Sequence, residues 1–87
     1  MIRVEVYTKR DCCLCEDVKA TLLRVRRDIP FELREIDIES APVLYEAYKE
    51  RIPFIVIDGR PAFKYRVDEA ALRRRLARCK GRMVPGQ

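Results

Sequence analysis

Three of the chain's four cysteines lie within four positions, in the stretch D-C-C-L-C-E-D. Cys12 and Cys15 form a C-x-x-C pair that follows a run of strand-like alternation and precedes a run of helical spacing. At the first turn of a helix, unpaired N–H groups and the helix dipole stabilise a thiolate on the first cysteine. The second sulfur then lies close enough to attack a mixed disulfide formed by the first. The pattern therefore predicts thiol–disulfide exchange, with Cys12 as the nucleophile and Cys15 as the resolving thiol.

Charged residues on both sides of the pair act on its thiols in opposite directions. Lys9 and Arg10 precede the pair and favour the thiolate, whereas Asp11, Glu16 and Asp17 oppose it. The sequence does not determine the sign of the net shift in the thiol pKa. Lys9 is the better candidate for stabilising the thiolate and bordering the substrate, and Asp11 is a candidate modulator.

The other two cysteines and one tyrosine are interpreted from their positions. Cys13 lies inside the motif, where a third thiol can modulate the pair or compete for its disulfide. We interpret Cys13 as a tolerated bystander in a reducing compartment. Cys79 falls on the apolar stripe of the last helix, where it serves as a small hydrophobe. Tyr7 belongs to the first strand and borders the predicted site as a possible modulator.

The composition excludes several classes of enzyme. Histidine is absent, which removes Cys–His hydrolases, His-ligated metals and imidazole acid–base catalysis together. A helix needs about 20 apolar residues to cross a bilayer, and no apolar run in this chain approaches that length. Charged residues occupy the N-terminal positions where a signal peptide would be apolar. We therefore expect a cytoplasmic protein with no membrane partner. Because thiols stay reduced in that compartment, the cysteines indicate catalysis or metal binding sooner than a structural disulfide framework.

The elements that position the pair follow from the spacing of apolar residues. Residues 2–6 alternate apolar and charged side chains, which predicts a strand leading into the cysteines. After the cysteines, Val18, Leu22 and Val25 lie on one helical face. Pro30 ends this helix, and the alternation in F-E-L-R-E-I-D-I predicts a second strand.

The second half of the chain contains clear capping and turn signals. Ser40 as the N-cap and Pro42 in the first turn predict a second, short helix. The β-branched run P-F-I-V-I-D then leads into Asp58-Gly59, which predicts a tight hairpin between two antiparallel strands. Asp68 is the predicted N-cap of a last, arginine-rich helix.

The predicted order is therefore β-α-β-α-β-β-α. The first strand–helix–strand unit must be parallel and right-handed, and the hairpin adds antiparallel strands. We predict an α/β domain with a mixed four-stranded sheet flanked by helices, occupying residues 1–80. Residues 81–87 are expected to form a flexible C-terminal tail.

Two segments of this sequence resemble a known family. The stretch Y-T-K-R-D-C-C-L-C-E-D resembles the active-site segment of small bacterial and archaeal glutaredoxin-like proteins. The stretch Y-K-E-R-I-P-F-I-V-I-D-G-R is similar to the segment that carries their cis-proline. The resemblance implies a thioredoxin-like fold, with Cys12 as the exposed nucleophile and Cys15 as the resolving thiol. It also implies that Pro53 is the cis-proline beside the sulfurs and that Ile52 offers its backbone to an extended substrate.

The chain departs from the glutathione-using glutaredoxins and from the thioredoxins, which leaves its substrate open. Glutathione-using glutaredoxins carry a Gly-Gly turn before the last helix, whereas the corresponding stretch here is K-Y-R-V-D, and the thioredoxin motif W-C-G-P-C is absent. We expect the substrate to be a disulfide-containing protein or a small thiol, with a reductase or glutathione as the electron donor. The redox group is the Cys12–Cys15 disulfide, no cofactor or metal is bound, and the protein is expected to be a monomer.

Three other classes of function remain open at this point. The cysteine cluster could bind a metal or an iron–sulfur cluster shared between two chains, since one chain lacks a second ligand pair. The arginines of residues 73–82 could bind nucleic acid, although no aromatic residues are interleaved with them, and we do not expect such a partner. The domain could also be a non-catalytic interaction module, because a fold does not establish an activity.

Overall fold

A computed structural model describes residues 2–83 of the chain, and the side chains of residues 2–79. In chain order its helices and strands are β1 (Arg3–Thr8), α1 (Cys13–Asp28), β2 (Glu32–Asp37), α2 (Pro42–Tyr48), β3 (Phe54–Ile57), β4 (Arg60–Lys64) and α3 (Glu69–Met83). A 3₁₀ turn over Ile38–Ser40 separates β2 from α2. This order confirms the predicted β-α-β-α-β-β-α arrangement.

The four strands form one mixed sheet in the order β2-β1-β3-β4. β1 pairs in parallel with β2 and antiparallel with β3, and β3 pairs antiparallel with β4. β1 is therefore an inner strand with a partner on each side. Its C-terminal end, at Thr8, fixes where the segment that carries the cysteines begins.

One face of the sheet is covered by α1 and α3. Val4 and Val6 of β1 pack in a single core cluster with Leu22 of α1 and with Leu72 and Leu76 of α3, all of them fully buried. These residues match the alternation and the helical stripe read from the sequence. The packing fixes α1 across the sheet and so fixes the direction in which its N-terminus points.

A smaller cluster lies beside the cysteines, where the N-terminal end of α1 meets residues from the opposite face of the sheet. Cys15, Ile38 and Ile52 are its buried members, and Tyr7 and Tyr48 pack against it. Tyr7 reaches this face because it follows Val6 in the strand alternation. α2, which supplies Tyr48, has no fully buried residue and covers this face lightly.

Two local signals in the second half of the chain are confirmed. Asp58 and Gly59 have φ angles of 50° and 81°, the positive values that a two-residue hairpin turn requires at both positions. The Asp68 carboxylate accepts a hydrogen bond of 3.0 Å from the N–H of Ala71. Asp68 therefore caps the N-terminus of α3 as predicted.

The prediction that Ser40 caps α2 is wrong. Ala41 occupies the N-cap position, without a side-chain hydrogen bond. Ser40 belongs to the preceding 3₁₀ turn, where its hydroxyl donates a 2.7 Å hydrogen bond to the carbonyl of Asp37. The Asp37 carboxylate caps that turn by accepting from the N–H of Glu39, which draws Ser40 away from α2.

The last helix continues beyond the expected domain boundary. α3 runs to Met83, so residue 81, where the tail was predicted to begin, lies inside the helix. One interior glycine weakens a helix by only about 1 kcal/mol relative to alanine and need not end it. Residues 84–87 lie outside the described residues, and the flexible tail there stays a prediction. No helix in the described part of the chain is long and apolar enough to span a bilayer.

Ion pairs connect the first turns of α3 to α1. Glu69 pairs with Arg24 at 2.9 Å and with Arg73 at 3.1 Å, and Arg73 also reaches Asp28 at 2.9 Å. The hydrogen bonds from Arg24, followed by those from Arg73, hold the pKa of Glu69 below its ordinary value. These contacts reinforce the position of α1 from its solvent side.

Two adjacent leucines of α1 test which face of the helix holds the fold together. Leu22 is fully buried, whereas Leu23 is 52% exposed. We expect Leu22→Ala to lower the free energy of unfolding by about 2–5 kcal/mol because it leaves a cavity in the core. Leu23→Ala should change it by no more than about 0.5 kcal/mol. Urea unfolding followed by circular dichroism measures both, and equal losses would contradict the assigned core face.

The Glu69 ion pairs predict a pH dependence of stability. Because the folded state lowers the pKa of Glu69 below its ordinary value of 4.5, its stabilising effect is complete above that pH and is lost as pH falls through the lowered pKa. Glu69→Gln should therefore be less stable than the wild type at neutral pH and equal to it in acid. Urea unfolding across this pH range provides the measurement.

The control for this prediction is Glu39→Gln, which removes the same charge from an exposed side chain that has no ion pair with any described residue. We expect its stability to follow that of the wild type at every pH. A Glu69→Gln deficit that persists unchanged in acid would contradict the role given to the ion pairs.

Candidate active site

A short loop delivers the cysteines from β1 to the start of α1. Asp11, in that loop, adopts a positive φ of 56°, and Cys12 returns to an extended conformation at the N-cap of α1. The Cys12 sulfur accepts a hydrogen bond of 3.2 Å from the N–H of Cys15. The sulfur thus occupies the place that a serine or aspartate oxygen takes in an ordinary N-cap. The helix begins at Cys13, so the cysteines lie at its first turn, as the sequence predicted.

Cys12 and Cys15 are joined in a disulfide, with their Cα atoms 5.2 Å apart. This separation lies within the usual range for the bond. The two sulfurs differ in environment, because Cys15 is only 2% exposed and Cys12 is partly exposed. A reactant that approaches from solvent therefore meets Cys12 first, which is the asymmetry that the predicted roles require.

The N-terminus of α1 is suited to hold negative charge on Cys12. The N–H of Cys15 points at the sulfur, and the N–H of Glu16 donates to the Cys12 carbonyl at 3.2 Å. A hydrogen bond to an ionised acceptor is stronger than one to a neutral acceptor. On reduction, the bond from Cys15 N–H would therefore favour the thiolate form of Cys12.

The Ile52–Pro53 peptide bond is cis, as the resemblance implied. Pro53 is buried, and Ile52 belongs to the same cluster as Cys15, with Cys12 packed against that cluster. No hydrogen bond within residues 2–83 uses the N–H or C=O of Ile52. The structure thus places this segment beside the cysteines. Its predicted contact with substrate stays a prediction.

Tyr7 lies in an aromatic cluster next to the disulfide. Its ring stacks on Tyr48 with centroids 4.3 Å apart and meets the edge of Phe54 at 6.2 Å. Burial, followed by the neighbouring Tyr48 and Glu5, raises the pKa of Tyr7 above its ordinary value. Tyr7 is therefore a neutral, packed residue that shapes the floor beside the sulfurs.

Lys9 and Asp11 line a groove of about 410 Å³ that reaches Cys15. The groove continues to Lys19, whose ammonium group lies 3.0 Å from Glu35 and 3.4 Å from Glu16. The hydrogen bonds to these carboxylates, that to Glu35 first, raise the pKa of Lys19. Lys19 was not predicted from the sequence, because its nearer partner, Glu35, lies on β2 and only the spacing of Glu16 and Lys19 along α1 is local.

A second groove, of about 270 Å³, flanks the first turns of α1 on the side of the β4–α3 loop. Leu14 and Thr21 of α1 face Tyr65 and Arg66 across it. Leu14 is 39% exposed and Tyr65 is 43% exposed. Tyr65 is another residue that the sequence analysis did not single out.

The remaining cysteines lie in contrasting environments. Cys13 is exposed at the first position of α1, and Cys79 is buried in the main core, as its place on the helical stripe predicted. Among residues 2–83, no group of three or more Cys, Asp and Glu side chains is arranged to hold a metal ion.

The chain is similar in sequence to a known protein family. Residues 3–77 match the family described as Glutaredoxin-like domain (DUF836). An uncharacterized protein of Mycobacterium tuberculosis is 31% identical over 81 residues, which cover 87% of this chain and 84% of the relative.

Solved structures give the same result for the fold. A structural-genomics protein of X. campestris superposes with a TM-score of 0.73 at 25% identity, covering 86% of this chain and 96% of that protein. A mutant thioredoxin of Halobacterium salinarum superposes with a TM-score of 0.67 at 20% identity, covering 88% of this chain and 73% of the thioredoxin. The architecture is therefore that of the thioredoxin-like proteins.

The environments of the four cysteines predict a stepwise pattern of alkylation. In the folded, oxidised protein, N-ethylmaleimide should modify Cys13 alone, because Cys12 and Cys15 are bridged and Cys79 is 3% exposed. Urea should add Cys79, and urea with reductant should add the bridged pair. Peptide mass spectrometry reads each site. Modification of Cys79 before unfolding would contradict its place in the core.

Proposed function

Because this chain belongs to the glutaredoxin-like domain family of the thioredoxin superfamily, we propose that it is a thiol–disulfide oxidoreductase acting through Cys12 and Cys15. The observation that carries the proposal is the asymmetric pair at the N-terminus of α1. Cys12 is partly exposed and its sulfur accepts a helix N–H, whereas Cys15 is buried. Such an arrangement activates one thiol and reserves the other.

The reaction begins with the reduced dithiol. The Cys12 thiolate attacks one sulfur of the substrate disulfide, and the other substrate sulfur leaves as a thiolate that takes a proton from solvent. The Cys15 sulfur, after losing its proton, then attacks Cys12 in the mixed disulfide and releases the second substrate thiol. The protein has given up two electrons and holds the Cys12–Cys15 disulfide, while the substrate disulfide has become two thiols.

The segment beside the sulfurs gives the substrate a place to dock. The N–H and C=O of Ile52 are not used by residues 2–83, and an extended chain pairs with such groups through main-chain hydrogen bonds. Ile52 packs in the cluster that contains Cys15, and Pro53 beside it is buried. We therefore assign Ile52 and Pro53 to substrate docking and Lys9 to the charged border of the site.

The cycle closes when an external reductant restores the dithiol. A reductase or a small thiol such as glutathione can supply the two electrons. The Cys12–Cys15 pair itself carries them, so the reaction needs no bound cofactor. This chemistry fits a monomer in the cytoplasm, where reduced thiols are plentiful and structural disulfides are rare.

The experiment that tests the proposal equilibrates the protein with glutathione redox buffers, quenches by alkylation and maps every cysteine by peptide mass spectrometry. A reversible Cys12–Cys15 disulfide should form, and Cys15→Ser should accumulate a mixed disulfide on Cys12. Cys12→Ser should form neither and should reduce a protein disulfide no faster than buffer does.

Cys13→Ser is the matched control, since it removes a neighbouring exposed thiol outside the pair. We expect it to keep both the intramolecular disulfide and the activity. The proposed function is refuted when no Cys12–Cys15 disulfide appears at any ratio of oxidised to reduced glutathione.

A further inference from the structure

Tyr65 occupies an unusual backbone position next to the docking segment. It follows β4 and has a φ of +71°, a left-handed conformation that a bulky side chain rarely adopts. Glycine would fit this position without strain. A tyrosine that is 43% exposed gains little from burial there. The side chain therefore contributes through a specific contact.

Tyr65 holds the segment between α2 and β3 at two points, one through its backbone and one through its side chain. The backbone N–H of Tyr65 donates to the carbonyl of Pro53 at 2.8 Å, and its hydroxyl donates to the carbonyl of Glu50 at 2.6 Å. Ile52 lies between these two anchored carbonyls. One residue thus holds both ends of the segment that the proposed function assigns to substrate docking.

Few other contacts hold this segment in place. Among the described residues, residues 50–53 form one further hydrogen bond, from the N–H of Arg51 to the carbonyl of Tyr48. The side chain of Ile52 packs into the cluster with Cys15, but packing alone leaves the direction of its N–H and C=O less restricted than two anchored neighbours do. The Tyr65 hydroxyl supplies the anchor on the Glu50 side.

We propose that Tyr65 is a positioning residue whose hydroxyl sets the Glu50–Pro53 segment for docking of an extended, disulfide-containing peptide. The proposal rests on the proposed thiol–disulfide exchange and specifies its substrate class. A peptide that pairs with the backbone of Ile52 depends on the direction of that N–H and C=O. A small disulfide that meets only the Cys12 sulfur does not. The Tyr65 hydroxyl therefore affects binding of peptide substrates and leaves the sulfur chemistry unchanged.

The test compares Tyr65→Phe with the wild type on two substrates. For a disulfide-bonded peptide, we expect the variant to raise KM by about fivefold, the effect of losing one neutral hydrogen bond, with little change in kcat. The rate with the small aromatic disulfide 5,5′-dithiobis(2-nitrobenzoate) and the reduction potential in glutathione buffers should stay at wild-type values. A merely structural role would move all of these together.

Two further variants make the test specific. Tyr65→Gly relaxes the positive φ and keeps the backbone bond to Pro53, so it should raise the peptide KM as Tyr65→Phe does and remain folded. Tyr45→Phe removes a hydroxyl from a tyrosine of α2 and should leave every parameter unchanged. Circular dichroism and the unfolding midpoint confirm the fold of each variant.

The outcomes separate this proposal from the proposed function. An active wild type whose Tyr65→Phe variant keeps its peptide KM refutes only the role of Tyr65. A Tyr65→Phe variant that loses reactivity with the peptide and with the small disulfide in parallel also refutes only the role of Tyr65. A wild type that reduces neither substrate refutes the exchange reaction and, with it, the positioning role.

Discussion

The hydrogen bond from the N–H of Cys15 to the sulfur of Cys12 depends on the position of α1, which the rest of the structure fixes. It exists only if α1 begins at Cys13, so that the preceding sulfur lies at the N-cap and receives the unpaired N–H groups of the first turn. α1 is held in that position by Leu22 in the core and by Arg24, which pairs with Glu69 of α3. Core packing on one side of α1 and ion pairs on the other therefore both fix the position of the Cys12 sulfur.

The two hydrophobic clusters differ in position: the main core joins the sheet to α1 and α3, and the smaller cluster surrounds the disulfide. The main core takes alternate residues of β1 and the buried faces of α1 and α3, and it contains most of the buried apolar side chains in the described part of the chain. The smaller cluster receives Tyr7, Cys15 and Ile52 from three separate segments of the chain. β1 places Val6 in the main core and Tyr7 against the smaller cluster. The same strand therefore connects the core of the fold to the residues around the disulfide.

Sequence reasoning succeeded where the signal is local. The apolar stripe of α1, the Asp58-Gly59 turn and the C-x-x-C pair at a helix start are all patterns within a few residues, and each was found where predicted. It failed where a distant partner or a competing local contact decides. Tyr65 acts on Glu50, 15 residues away, and no periodicity indicates that hydrogen bond. Ser40 had the right side chain for a cap, but the competing turn at Asp37 took it.

The strand order leaves β2 and β4 at the edges of the sheet, and both discourage aggregation. β2 reads E-L-R-E-I-D, so charged side chains interrupt any apolar surface that a second chain could pair with. β4 carries Pro61, which has no N–H to donate to an added strand. This protection matters for the proposed docking of an extended substrate, because strand pairing at a sheet edge would turn a transient partner into a permanent one.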